Sequence, residues 1–159
     1  FDIEAIGTFL EVNTNISGLV LDIKTDTCRQ IFLDLVKSSD VVVESFIPGY
    51  LDDLGMGFDS LSKENPMLIM TSVSPYGQSG PWAKYEASNL IISNLSGHSM
   101  GHPAHVDDFA QQTPLPLGAY QARLLCGIYA ATAPALALHR TSLHGQRSHV
   151  DLSQTESLA

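Results

Sequence analysis

Two apolar runs, each followed by a loop rich in proline and glycine, organise this sequence. Val41–Val43 is a β-branched run without polar alternation, which is typical of a strand buried on both faces of a parallel sheet. Met67–Ser74 has a similar character. The loops after them are Glu44–Gly49 and Pro75–Pro81. Because ligands of open parallel sheets bind outside the carboxyl ends of the strands, both loops are predicted to meet a ligand at one edge, with Ser45 and Phe46 among the contacts.

Helical patterns separate these strands. One apolar stripe at helical period follows a capping position at Thr25 or Asp26, and consists of Cys28, Ile31, Phe32, Leu35 and Val36. Other helices are predicted at 1–12, 50–54, 58–63, 86–97 and 118–140, the last kinked or broken at Pro134. Strands are also predicted at 18–24 and 147–152, and an ordered loop or lid at 98–117. Strand, helix and strand with short connections form a βαβ unit, so the predicted class is α/β, a parallel sheet with helices on both faces.

Composition limits the size of the fold and the classes of partner that the protein could bind. The 159 residues are 44% apolar, enough for one domain with a core, and only 16% are charged. With 8 basic and 17 acidic residues the net charge is −9, which argues against nucleic acid or a membrane surface as a partner. The low charge, the start at Phe1 and the end at Ala159 inside a helix-like pattern suggest a piece of a larger protein or assembly.

Two cysteines and a group of histidines are candidates for disulfide or metal-binding chemistry. Cys28 and Cys126 are predicted to be buried free thiols, as in a reducing compartment, which favours a cytoplasmic location. His98, His102 and His105 lie close together, but Gly and Pro between them predict a polar loop rather than a metal site.

Acidic and aromatic side chains near the predicted ligand edge allow two interpretations. Glu86 and Asp107–Asp108 could act as a base or nucleophile, although solvated loop acids are the simpler interpretation. Phe46 and Trp82 could stack on a flat ligand ring or could belong to the core. Gly55-Met56-Gly57 does not complete a dinucleotide fingerprint and follows a helix, so a dinucleotide site is not expected.

Four segments in order resemble the class III coenzyme A transferase family, the CaiB/BaiF group. They read NTNISGLVLDIKTD, DVVVESFIPGYLDDLGMGFDSLSKENPMLI, SVSPYGQSGPW and GIYAATAPALALHRTSLHGQRSHVDLSQTES. The resemblance covers nearly the whole chain. It implies a Rossmann-like large domain, of which residues 1–159 would be a single partial domain, with the small second domain absent from the chain. It also implies two chains threaded as interlocked rings.

The resemblance also implies site residues and a reaction. Contacts of coenzyme A, the substrate and carrier, would be Leu21, Asp22, Ile23, Lys24, Ser45, Phe46, Ile47 and Asn89. The adenine or pantetheine would pack against Phe46. Family members transfer coenzyme A from an acyl-CoA to a small carboxylic acid through an aspartate that accepts the acyl group, with no metal.

The sequence departs from the family at the catalytic position. The aspartate falls on Arg123, or on Ala119 or Ala122 with another gap placement. An arginine stays protonated and cannot accept an acyl group. The related racemases use a histidine where this chain has Ser88.

Three functions therefore stay open. The first is a CoA-transferase-like protein that binds acyl-CoA thioesters. The second is a non-catalytic partner subunit of a heteromer whose other chain supplies the carboxylate, rather than one chain of an interlocked homodimer. The third is a different Rossmann-like nucleotide-binding module.

Overall fold

The computed structural model describes residues 3–101, 108, 110–111 and 118–159. Their helices and strands are α1 Ile3–Val12, α2 Asp26–Lys37, β1 Val41–Glu44, α3 Tyr50–Asp53, α4 Phe58–Glu64, β2 Ile69–Ser74, α5 Asn89–Leu95, α6 Gln121–His144 and β3 Ser148–Ser153. Short 3₁₀ helices lie at His98–Gly101, Gly118–Tyr120 and Glu156–Leu158. The chain divides into two compact units, Phe1–Phe32 and Leu33–Ala159.

The first unit contains α1 and a polar turn, as the sequence predicts. The turn begins where the amide N–H and the side-chain Nδ2 of Asn13 both donate to the Phe9 carbonyl oxygen. Asn15 has φ 63°, a left-handed conformation that asparagine tolerates better than most residues. This turn ends the helix without glycine.

The strand predicted at 18–24 is wrong in the described structure. Gly18–Lys24 carries no strand assignment, and Val20 is 99% exposed. At Asp22 the chain turns instead, because Oδ1 of that residue accepts the N–H of Lys24 and its carbonyl oxygen accepts the N–H of Thr25. An apolar run becomes a strand only when a neighbouring strand takes its backbone hydrogen bonds, and the pattern alone does not supply that neighbour. The predicted βαβ unit that started here is therefore wrong as well.

The second unit is built on a three-stranded parallel sheet in the order β1-β2-β3. Val41 lies opposite Ile69, and Ile69 lies opposite Ser148. All six residues of the central strand are buried. The α/β class predicted from the sequence is confirmed.

β1 differs from its prediction. It pairs with β2 alone among the described strands, and Val43 is 55% exposed. The prediction that residues 41–43 are buried on both faces is therefore wrong, since Val41 and Val42 are half-buried and Val43 is exposed.

Several helices also differ in detail from the pattern. Thr25 caps α2 through its Oγ1, which accepts the N–H of Cys28. Of the predicted apolar stripe only Val36 is buried, and Cys28 is half-buried rather than buried. α6 continues through Pro134, so this proline does not break it.

The long helix α6 organises the core beside the sheet. It contacts β2, β3 and Glu156–Leu158. Ala122 and Cys126 of α6 pack in one cluster with Ile92 and Leu158. Cys126 is a buried free thiol, as predicted, and burial raises its pKa. Its Sγ lies 3.6 Å from the carbonyl oxygen of Gln154.

Asn65 forms a junction between the end of α2 and the segment before β2, and its replacement gives a first prediction. Its Nδ2 donates to the carbonyl oxygens of Val36 and Ser39 at 3.1 and 2.8 Å, and its Oδ1 accepts the N–H of Met67 at 3.1 Å. Asn65→Ala removes all three bonds, so we expect a loss of about 1–2 kcal/mol in the free energy of unfolding, measured by urea denaturation.

Asn94→Ala is the matched control. Asn94 Nδ2 makes one exposed bond, to the Leu90 carbonyl oxygen of its own helix. Its removal should cost under about 0.5 kcal/mol. An equal loss in both variants would show that Asn65 does not hold the junction.

Candidate functional site

The carboxyl ends of β1 and β2 lie at one edge, as predicted. The two strands are parallel, and Glu44 at the end of β1 lies opposite Ser72 of β2. The loops after these strands therefore leave the sheet on the same side. Ser45–Pro48 and Pro75 line one cavity of about 280 Å³, together with Ala83–Ala87. We call it the loop cavity.

Local bonds shape the first loop of this cavity. Glu44 Oε2 accepts the N–H of Phe46 at 2.7 Å, which turns the chain directly after the strand. Gly49 has φ 90°, a conformation that side chains other than glycine rarely adopt, and α3 follows it. The Phe46 and Tyr50 rings lie 4.9 Å apart between centroids. The turn therefore presents Phe46 toward the cavity.

Neither of the two candidate aromatic residues belongs to the core. Phe46 is 45% exposed and Trp82 is 50% exposed. Trp82 contacts the Tyr76 ring edge-on, with 5.8 Å between centroids. The core-packing interpretation of both residues is therefore wrong, and a large part of each ring is open to a ligand.

The charged residues of the loop cavity belong to the lining segment Ala83–Ala87. Lys84 and Glu86 are both exposed and both line the cavity. The predicted acid Glu86 therefore lies at the ligand edge. Of the other two predicted acids, Asp108 is exposed and Asp107 lies outside the described residues.

The second loop is fixed by an acid that sequence reasoning missed. The N–H of Gln78 donates to both carboxylate oxygens of Asp151 on β3, each at 3.0 Å. Gly77 has φ 86°, and a Cβ there would lie 3.5 Å from Asp151 Oδ2. Alternation in 147–152 predicts the strand, but nothing in it pairs this acid with a loop 73 residues earlier.

Two further bonds hold the start of the same loop. The Thr155 N–H and Oγ1 both donate to the Pro75 carbonyl oxygen, at 3.1 and 2.9 Å. Pro75 lines the loop cavity. The end of β3 thus fixes one wall of the cavity, a connection between residues 80 positions apart.

A smaller polar cavity lies beside the first, and the sequence did not indicate it. Its volume is about 140 Å³, and its lining includes Glu44, Asp52, Ser72, Gln78 and His149. Ser72 Oγ lies 2.9 Å from Nε2 of His149, and the histidine ring stacks on Phe58 at 5.0 Å. This pair joins β2 to β3 across the sheet.

The remaining predicted contacts belong to other parts of the chain. Leu21–Lys24 belong to the first unit, in the turn before α2. Asn89 is the first residue of α5, which begins three residues later than predicted because Ser88 Oγ caps it through the Ile91 N–H. Asn89 is not among the residues that line the cavity.

Arg123 lies in the first turn of α6. It is exposed, and its guanidinium carbon is 6.0 Å from the centroid of the Tyr120 ring. Of the positions to which the resemblance assigns an acyl-accepting aspartate, Arg123 is thus a cation on an aromatic face and Ala122 is buried.

Neither a metal centre nor a membrane span is present in the described residues. The described residues contain no group of three or more His, Cys, Asp or Glu able to hold a metal ion, and His102 and His105 of the predicted cluster lie outside them. Most of the predicted loop 98–117 lies outside them as well. Within the described part of the chain, no helix has the length and apolar character to cross a bilayer.

Comparison with known proteins identifies the family. The family model described as CoA-transferase family III matches residues 4–159. An acetyl-CoA:oxalate CoA-transferase from Acetobacter aceti is 36% identical over 146 residues, which cover 91% of this chain and 36% of that protein. Subunit BbsE of a succinyl-CoA:(R)-benzylsuccinate CoA-transferase from Thauera aromatica is 34% identical over 157 residues, which cover 99% of this chain and 37% of that protein.

The fold agrees. The crystal structure of a CAIB/BAIF family protein from Brucella suis superposes with a TM-score of 0.76 at 28% identity, over 87% of this chain and 35% of that one. This chain spans a little more than a third of the length of the two curated relatives. The family model covers all but the first three residues, and the chain therefore belongs to CoA-transferase family III, the CaiB/BaiF group.

Proposed function

We propose that this chain is part of a CoA-transferase and that its loop cavity binds the coenzyme A portion of an acyl-CoA. The observation that carries the proposal is the convergence of two strand-end loops on one cavity beside an exposed Phe46. Coenzyme A offers a flat adenine, a flexible pantetheine and several phosphates. An exposed phenyl ring suits the adenine or pantetheine, and the Lys84 ammonium suits a phosphate.

Charge makes Lys84 important to this proposal. The chain carries a net charge of −9, so its overall field repels a polyphosphate. A local cation at the cavity is then needed to hold the ligand, and the phosphate contact should weaken as salt screens it. The proposal includes Ser45 and Ile47 as neighbouring contacts, and keeps Leu21–Lys24 and Asn89 as separate contacts to be tested.

The proposed arrangement of the protein follows the family. Residues 1–159 would form one partial Rossmann-like domain, and the small second domain would lie outside this chain. Two large chains threaded as interlocked rings would form the working assembly. The acyl donor and a small carboxylic acid would be its substrates.

A partner subunit is the second candidate, and Arg123 favours it. A guanidinium cannot accept an acyl group, so the carboxylate of a transfer reaction would come from another chain. One of the relatives described above is itself a subunit of its transferase. In this version the chain binds the carrier and the partner performs the covalent step.

The binding test compares two exposed phenylalanines. Phe46→Ala should weaken coenzyme A binding about twofold to tenfold in calorimetric titration, because it removes a ring contact of about 0.5–1.5 kcal/mol. Phe9→Ala is the control, since Phe9 is 63% exposed on α1. The titrations use the protein with any subunit that co-purifies.

These titrations and two further assays distinguish the candidate functions. No binding of coenzyme A, or binding of NAD in its place, would reject the proposal in favour of a different nucleotide module. A hydroxylamine-sensitive acyl adduct on this chain would identify it as the catalytic chain. Activity that appears only after a second chain carrying the aspartate is added would identify it as the partner subunit.

A further inference from the structure

A third cavity is lined in part by the loop that follows β2. Its volume is about 330 Å³, and its lining consists of Tyr76, Ser79, Pro81, Trp82, Ser153, Thr155 and Glu156. We call it the aromatic pocket. Three of these residues belong to the loop Pro75–Pro81 that is predicted to meet a ligand, and Trp82 is a stacking candidate. The sequence did not indicate Ser153, Thr155 or Glu156.

Two aromatic rings give this pocket a defined apolar wall. Tyr76 and Trp82 meet edge to face at 72° with 5.8 Å between centroids, which is a favoured geometry for such a pair. Half of the Trp82 surface stays exposed. An open indole face held by a second ring suits a hydrocarbon or an aryl group.

The aromatic pocket and the loop cavity share a wall. Pro75 and Ala83 line the loop cavity, while their chain neighbours Tyr76 and Trp82 line the aromatic pocket. Thr155, which also lines the aromatic pocket, donates both its N–H and its Oγ1 to the Pro75 carbonyl oxygen. The two cavities are therefore held side by side, as a ligand with two chemically different ends requires.

Charge restricts what the aromatic pocket accepts. Among its described lining residues Glu156 is the one charged side chain, and no basic residue accompanies it. A free carboxylate on the ligand would meet a like charge there without a cation to balance it. Glu156 is exposed, so this repulsion is screened and modest rather than prohibitive.

We propose that the aromatic pocket holds the acyl group of the acyl-CoA, and that the preferred acyl groups are aryl or hydrocarbon chains without a second carboxylate. The inference rests on the proposed function, because it needs the pantetheine end of coenzyme A, which carries the acyl group, in the loop cavity. It goes further by naming the acyl class and the residues that select it.

The test measures the affinity of the protein for phenylacetyl-CoA, succinyl-CoA and free coenzyme A. Phenylacetyl-CoA should bind about tenfold more tightly than succinyl-CoA, since the ring contact and the missing carboxylate together supply about 1.4 kcal/mol. Trp82 is the sole tryptophan of these 159 residues. Its fluorescence is obtained by subtracting the signal of the Trp82→Phe variant. This difference should change when phenylacetyl-CoA binds and should not change when free coenzyme A binds.

Two substitutions address the two parts of the inference. Trp82→Ala should lower the phenylacetyl-to-succinyl affinity ratio to about threefold or less, as the ring contact is lost. Glu156→Gln keeps the size of the side chain and removes its charge, so succinyl-CoA should bind a few-fold more tightly. Tyr129→Ala is the control, because Tyr129 is a half-exposed ring on α6 outside both cavities and should leave the ratio unchanged.

The outcomes separate the two proposals. Equal affinities for both acyl-CoA esters, or an affinity ratio that Trp82→Ala does not change, would overturn the pocket assignment. If free coenzyme A still binds in that case, the proposed function stands. Failure of all three ligands to bind would overturn the proposed function, and the pocket assignment with it.

Discussion

Replacing Ile69 by alanine is expected to cost about 3 kcal/mol of the free energy of unfolding, within the range of about 2–5 kcal/mol for such core truncations. Ile69 is fully buried in the central strand and is paired on both sides, with Val41 and Ser148. Truncation removes the transfer free energy of three carbon atoms. It also leaves a cavity that a strand held between two neighbours cannot close.

The control for this prediction is the same substitution on a helix surface. Ile91 is 46% exposed on α5, and alanine favours helices, so Ile91→Ala should cost less than about 1 kcal/mol. Chemical denaturation followed by far-UV circular dichroism measures both variants. A loss below 1 kcal/mol for Ile69, or equal losses at the two positions, would contradict the placement of β2 at the centre of the core.

Replacing Asp151 by alanine is expected to weaken acyl-CoA binding about tenfold, or about 1.4 kcal/mol. The carboxylate accepts the Gln78 N–H at 3.0 Å on each oxygen and thereby fixes the loop whose first residue, Pro75, lines the loop cavity. Such charge-assisted bonds contribute about 1.5–3 kcal/mol, and the exposure of Asp151 places this one near the lower end. Without this bond the loop is no longer held in place before the ligand binds, so part of the binding free energy is used to order it.

Asparagine at position 151 separates positioning from charge. Asp151→Asn keeps one carbonyl oxygen for the Gln78 N–H, so most of the lost affinity should return. Kinetics provide a second measure: a positioning role predicts a raised KM for the acyl-CoA with a smaller change in kcat. If the asparagine variant is as weak as the alanine variant, Asp151 does not act through this hydrogen bond.

The sequence predicted the elements whose apolar residues and boundary residues are close together in the chain. Met67–Ser74 contains β2, and it was recognised because it opens with four apolar residues and is bounded by proline on both sides. Tyr50–Leu54 and Phe58–Lys63 were placed by glycine and proline at their ends, and both helices are present. The common edge of two strand-end loops followed from parallel pairing, which the register confirms.

The pattern failed where structure depends on residues distant in sequence. Gly18–Lys24 looked like a strand, but strand formation needs a partner, and the described structure supplies none there. The Asp151–Gln78 and Thr155–Pro75 bonds join residues 73 and 80 positions apart. Periodicity within one element contains no information about such pairs, so the support of the cavity wall and the aromatic pocket could not be predicted.

The buried thiol of Cys126 has a consequence for experiments on the dynamics of this protein. Reagents that modify cysteine react with the thiolate. In the closed structure burial keeps the reagent away from Cys126 and also raises the pKa of its thiol, so that less thiolate is present. Modification must then wait for α6 to separate from Ile92 and Leu158. The alkylation rate at this one sulfur thus measures how often that part of the molecule opens, and a ligand that slows it reports its own binding at a distance.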